Sequence, residues 1–178
     1  MTYRRDLWEI AAERHGVLTV REAEGAGVPA VEVRKLAQRG VLISLSQGTY
    51  VHREVPTSDL TQPQTAVALA GDGAFLHREA VLHALGLGHF NPRVIRVGTR
   101  RRVRRMLPPW MELEHRSDIS DEDLTDLDGI PATTVGRALI DVRETMPPER
   151  WHEMVADAQR RYLIEKDALV GAVSREGA

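Results

Sequence analysis

Residues Val17 to His52 read VLTVREAEGAGVPAVEVRKLAQRGVLISLSQGTYVH, and this stretch decides the fold. Thr19 followed by Glu22 has the spacing of a capping box, in which each side chain satisfies the other residue's backbone N–H, so a short helix opens there. It turns Val20 and Ala23 inward and stops at Gly25-Ala26-Gly27. Pro29 suits the first turn of the next helix, which runs to Arg39 and is closed by Gly40. Val33, Leu36 and Ala37 form its inner face. At about 100° per residue, Val31, Arg34, Lys35 and Gln38 gather on the opposite side. Leu42 and Leu45, then Tyr50 and Val51, fit two strands joined at Ser46-Gln47-Gly48, and Val17 and Leu18 fit a third. An earlier helix over Arg5–Arg14 presents Leu7, Ile10 and Ala11 and ends at Gly16. The order is that of a winged helix-turn-helix.

In that plan the third helix enters the major groove, where Arg, Lys and Gln are side chains that read base edges. Arg34, Lys35, Gln38 and Arg39 are the candidates for bases or phosphates, Val31 for a thymine methyl, and Gln47 for the wing tip. The competing reading makes the same residues the solvated side of an amphipathic helix. Glu32, near the helix start, opposes contact with a phosphate-lined groove.

Working outward, Glu54 to Pro63 is rich in Pro, Thr, Ser and Asp and reads as a linker. This sets a winged-helix domain at 1–53, a linker at 54–63 and a C-terminal α+β domain at 64–178. In the second domain, helices are expected over Thr65–Ala70 and Arg78–Leu85, with a turn at Gly71-Asp72-Gly73. Strands follow at Val94–Val97 and Met111–His115, then a hairpin around Asp128-Gly129. Thr134 caps a helix carrying Val135, Ala138, Leu139 and Val142. Pro147-Pro148 starts another with Trp151, Met154, Val155, Ala158 and Tyr162 in register, and a last helix covers Glu165 to Val173. The expected class is α+β, a small sheet with helices packed on it.

Charge is uneven. The net charge of −2 divides into eight basic and eight acidic residues over 1–60, eight and two over 61–110, and eight and sixteen over 111–178. A whole-domain basic excess, the usual footprint of a nucleic-acid binder, is missing. Between Arg93 and Arg105, however, seven of thirteen residues are arginine and none is acidic. Arg100, Arg101, Arg102, Arg104 and Arg105 would give salt-sensitive, sequence-blind affinity for phosphates. Pairing with the acidic run Asp118 to Asp128, or with a protein partner, is the alternative. No cofactor is expected: Gly71-Asp72-Gly73 lacks the length and lysine of a phosphate loop. His77, His83 and His89 do not share a helix face, so they form no metal triad. No serine sits in a nucleophile elbow, and with only Lys35 and Lys166 as lysines a nuclease site is poorly supplied. No catalytic residue is assigned. No apolar run reaches the roughly 20 residues of a membrane span. There is no cysteine, and no apolar leader opens the chain, so a cytoplasmic protein is expected.

GVPAVEVRKLAQRGVLISLSQGTYVH resembles the N-terminal winged-helix domain of AbiEi-type antitoxins of type IV toxin–antitoxin systems, with Gly40, Leu42, Gly48 and Tyr50 at the pattern positions. The second half is similar too, in FLHREAVLHALGLG, NPRVIRV, the arginine run and DGIPATTVGRALIDV. The last matches the family pattern at Asp128 to Pro131, Thr134, Arg137, Leu139 and Asp141. The resemblance spans roughly Asp6 to Val170. It implies a non-enzymatic repressor of its own operon that also counteracts a nucleotidyltransferase toxin. It implies, too, that DNA contact is shared between helix, wing and a basic patch of the C-terminal domain, for which Arg100 to Arg105 are the candidates. The partner expected is double-stranded operator DNA with an inverted repeat, bound cooperatively by more than one copy. Two alternatives stay open: a protein-interaction module whose winged helix does not touch DNA, and a ligand-responsive regulator.

Overall fold

A computed structural model describes residues 2–46, 48–90, 92–165 and Leu169. These divide into two compact units, one running to Ala74 with Asp128–Ile130, the other comprising Phe75–Leu127 and the residues from Pro131 on.

The first unit opens with α1 (Tyr3–Ala12) and β1 (Val17–Thr19). The capping box forms as the spacing predicts: Glu22 N donates to Thr19 Oγ1 at 3.2 Å and Thr19 N to Glu22 Oε2 at 2.8 Å, opening α2 (Val20–Gly25). A turn through Gly27, whose φ of 84° favours glycine, leads to α3 (Ala30–Gln38). Pro29 is the residue just outside α3 rather than in its first turn, and extended backbone there aims the chain into the helix. The wing is β2 (Leu42–Ser46) and β3 (Thr49–His52), in a sheet ordered β1-β3-β2. A bulge between Ser44 and Ser46 interrupts the β2–β3 register. Leu18, Leu42 and Tyr50 face the helices and join Leu7, Ala11, Ala23, Val28, Val33 and Leu36 in one core. Val17 and its register partner Val51 point the other way, yet Val17 is fully buried, because a further helix, α4 (Thr61–Ala70), packs on β1 and β3.

That helix departs from the sequence-based expectation in two respects. It begins at Thr61, with Pro63 in its first turn where a missing N–H costs nothing. It also lies in the first unit, although composition places its residues in the linker and the C-terminal domain. The physical reason is its face: Gln64, Thr65, Ala66, Val67, Leu69 and Ala70 are buried, and a two-sided sheet needs a second cover. Thr61 Oγ1 ties its start to the His15 carbonyl at 2.8 Å.

The second unit is built on a five-stranded sheet ordered β6-β5-β4-β8-β7, where β4 is Ala74–Leu76, β5 Ile95–Thr99, β6 Met111–His115, β7 Leu124–Leu127 and β8 Ile130–Thr133. Strand β4 is not foreseen by sequence patterning; its three residues are all buried, too short for any period to show. Asp128 and Gly129, at φ 51° and 85°, make the tight turn between β7 and β8. Helices α5 (Glu79–Ala84), α6 (Val135–Val142) and α7 (Pro148–Arg160) complete it, with α5 against β5 and α6, and α6 against α7. Thr134 caps α6 by accepting from Arg137 N at 3.2 Å. The helix expected over Glu165–Val173 lies outside the described residues, Glu165 and Leu169 apart. No helix among the described residues is long and apolar enough to cross a membrane.

Candidate nucleic-acid interface

The face of α3 is set by its core. With Val33 and Leu36 buried, Val31, Arg34, Lys35, Gln38 and Arg39 all stand on the outer side, Val31 at 50% exposure. Their charges are not equally available. Lys35 Nζ lies 2.7 Å from Glu32 Oε1, whereas Arg34 and Arg39 have no ion pair among the described residues. On the wing, Ile43 and Leu45 of β2 are exposed. Gln47, the expected wing-tip residue, lies outside the described residues.

The arginine run is shaped by strand direction. Strands β5 and β6 are parallel, with Ile95 opposite Met111 and Thr99 opposite His115. The chain leaving Thr99 must therefore travel back the length of both strands before β6 can begin, and residues 100–110 make that journey without a helix. Like-charged neighbours and Pro108-Pro109 both disfavour one. The return is pinned at its ends: Thr99 Oγ1 donates to the Arg101 carbonyl at 2.8 Å, His115 Nε2 lies 3.1 Å from the Arg100 carbonyl, and Ile95 N donates to the Trp110 carbonyl at 2.9 Å. Val103 and Leu107 are half-buried; Arg100, Arg101, Arg102, Arg104, Arg105 and Met106 are exposed. Arg100 pairs with Asp121 at 2.7 Å, so one member of the run does meet the acidic segment. Arg101, Arg102 and Arg104 meet no carboxylate among the described residues.

A second arginine centre is not apparent from the sequence. The guanidinium of Arg116, 8% exposed, uses all five N–H groups. Nε and Nη2 donate to the two Asp118 oxygens at 2.9 and 2.8 Å, Nη2 and Nη1 to the two Asp141 oxygens at 3.1 and 2.9 Å, and Nη1 to His77 Nδ1 at 2.8 Å. Arg137 adds a bond to Asp141 at 3.0 Å, one turn along α6, and a further contact to Asp118. The hydrogen bonds from Arg116 hold the Asp118 carboxyl well below the usual range, and the same pairing raises Arg116. His77 is fully buried; accepting at Nδ1 places its proton on Nε2, which has no hydrogen-bond partner and lies 3.8 Å from Glu114. Burial pushes the imidazole down to about 4, against the pull of Glu114. The i,i+4 spacing of Arg137 and Asp141 is the available signal; the partners just beyond β6 and β4 are not visible in it.

No group of three or more metal-ligating side chains occurs among the described residues. Chemically, the first unit offers a helix face with arginine, lysine and glutamine, and the second an extended arginine strap beside a saturated ion cluster.

Comparison with known proteins bears on the first unit. Residues 5–51 match the family model described as "Transcriptional regulator, AbiEi antitoxin". No curated protein matches the chain. Among solved structures, the RV2827C protein from Mycobacterium tuberculosis is similar over 96% of this chain and 70% of its own, at 17% identity and a TM-score of 0.49. The matched segment spans α1 to β3, the helices and wing described above, and it is this part of the chain that is similar to the AbiEi antitoxin regulators.

Proposed function

We propose that the protein is a cytoplasmic, non-catalytic antitoxin and DNA-binding repressor that autoregulates a type IV toxin–antitoxin operon and counteracts a nucleotidyltransferase toxin. The first unit reads operator DNA through α3 and the wing, the arginine strap of the second unit grips phosphates, and copies bind an inverted repeat together. The observation that carries this reading is the exposed face of α3, where Arg34, Gln38 and Arg39 project from a winged helix-turn-helix without ion-pair partners among the described residues. Side chains of these types contact base edges and phosphates when such a helix lies in the major groove. The toxin, the operon type and cooperativity are inferred from the likeness of residues 5–51 to the AbiEi antitoxin regulators.

The test is an electrophoretic shift with the DNA upstream of the protein's own gene at low and moderate salt. The double variant Arg34→Ala, Gln38→Ala should bind at least about tenfold more weakly, since each base-reading side chain is worth roughly 1–3 kcal/mol. Unchanged binding removes α3 from the interface. No binding by the unaltered protein at low salt removes the DNA reading.

A further inference from the structure

The first turn of α3 carries a carboxylate, Glu32, beside a face that otherwise offers only basic and neutral side chains. Glu32 lies at the margin of the exposed face, on the side of Arg39, and holds Lys35 Nζ at 2.7 Å. Going around that face, Lys35 sits between Val31 and Arg39, with about half of its side chain exposed. An anion near a helix start is favourable in itself, and the i,i+3 pair adds a little. Neither effect needs a lysine in the middle of the groove-facing surface.

The order of charges across this pair has a complement in DNA. On the major-groove edge of a C·G pair, the cytosine N4 amino donor stands beside the guanine O6 acceptor, with N7 as a second acceptor next to it. A carboxylate beside an ammonium presents acceptor beside donor. An A·T pair also offers one donor and one acceptor, but the thymine methyl crowds O4 and adenine gives lysine no second acceptor beside N7. We propose that Glu32 and Lys35 act as one reading unit for a C·G base pair, Glu32 accepting from cytosine N4 and Lys35 donating to guanine O6 and N7. The inference rests on the DNA-binding role proposed above. It gives the carboxylate a second consequence: facing phosphates, Glu32 repels DNA that lacks a matching cytosine, so it lowers affinity for wrong sequences while sharpening preference for the right one.

Selection from a pool of duplexes with a randomised core tests this, using the full chain, Glu32→Ala and Glu32→Gln. The unaltered protein should enrich a motif with a C·G pair at one fixed position. Glu32→Ala should leave that position degenerate, losing roughly tenfold in discrimination there, while the other positions persist. Glu32→Gln should move it towards A·T, because glutamine pairs with adenine N6 and N7. Both variants should bind a scrambled duplex more tightly than the unaltered chain does. A purely structural Glu32 would shift thermal stability and leave the motif alone, so the same motif from all three proteins overturns the reading unit. A motif from none of them overturns the DNA-binding role as well.

Discussion

Arg116 and Arg102 belong to the same unit and flank the same parallel strand pair, and their surroundings could hardly differ more. Arg116 follows β6 at a point where Asp118, Asp141 and His77 converge, and every donor it has is taken. Arg102 follows β5 on a stretch that must run back past both strands, among other arginines and with no carboxylate partner among the described residues. Topology separates them. A residue at a strand end, within reach of a helix, finds partners contributed by several elements; a residue in mid-crossover finds its own neighbours. Arginine content alone therefore says nothing about availability for DNA.

The contrast breaks most sharply at Arg116. Arg116→Ala leaves Asp118 and Asp141, the latter at 8% side-chain exposure, with Arg137 in place of two guanidinium partners, and leaves the His77 acceptor without its donor. Removing one partner of a buried pair costs roughly 3–5 kcal/mol, so hydrogen exchange should show lost protection in β6 and α6. A destabilisation under about 1 kcal/mol would mean the cluster is as replaceable as a surface pair. Lysine at this position should rescue little, since an ammonium cannot fill a bidentate geometry twice over.

His77 gives the next effect, and its sign is fixed by the direction of its shift. The folded imidazole titrates at about 4, against an ordinary 6.5, so between those values the unfolded chain holds a proton that the folded one does not. Stability therefore falls as pH drops through that window, by at most about 1.4 kcal/mol per pH unit, and this contribution is complete once pH is below the folded value. His52 in the first unit is shifted in the same direction by burial, so the readout must be specific to the second unit, for instance exchange protection of β6 amides. Asp118 loses its contribution only below its ordinary 3.8, outside the window. His77→Gln should flatten the slope of β6 protection between pH 7 and 4.5. An identical slope in both proteins would detach His77 from the effect.

Much of the first unit is legible because its signals are local. Thr19 and Glu22, Gly27, Gly40 and the alternation around Tyr50 each constrain a few adjacent residues, and each expectation is met within a residue or so. Helix α4 is harder, since its burial depends on Val17 and Val51 on distant strands, which turn the unneeded face of the sheet into one that must be covered. Strand β4 carries no pattern at three residues. The exposed side of α3 follows from periodicity, but the pairing of Lys35 with Glu32 does not, because periodicity assigns each charge to a face and says nothing of which charges meet. In the second unit, Arg137 and Asp141 stand out by their i,i+4 spacing; that they brace Arg116 depends on where β6 ends, which no spacing along the chain discloses.

The smallest effect on stability separates the two kinds of arginine most cleanly. Replacing Arg101, Arg102 and Arg104 together by alanine removes three exposed side chains with no carboxylate partner among the described residues. Surface changes of this kind shift stability by no more than about 0.5 kcal/mol each, and relieving like-charge crowding could even raise it. If the strap grips phosphates, the same variant should flatten the dependence of DNA affinity on salt by about 0.9 in slope for each phosphate no longer neutralised, and weaken cognate and scrambled duplexes equally. Arg100→Ala provides the internal control. Its guanidinium already faces Asp121, which should attenuate any counterion it displaces from DNA, so its slope change should be smaller than that of Arg102→Ala. Equal slopes for these two single variants would show that the Asp121 pair opens on binding. An unchanged slope in the triple variant would take the strap out of the interface and leave α3 and the wing to bind alone.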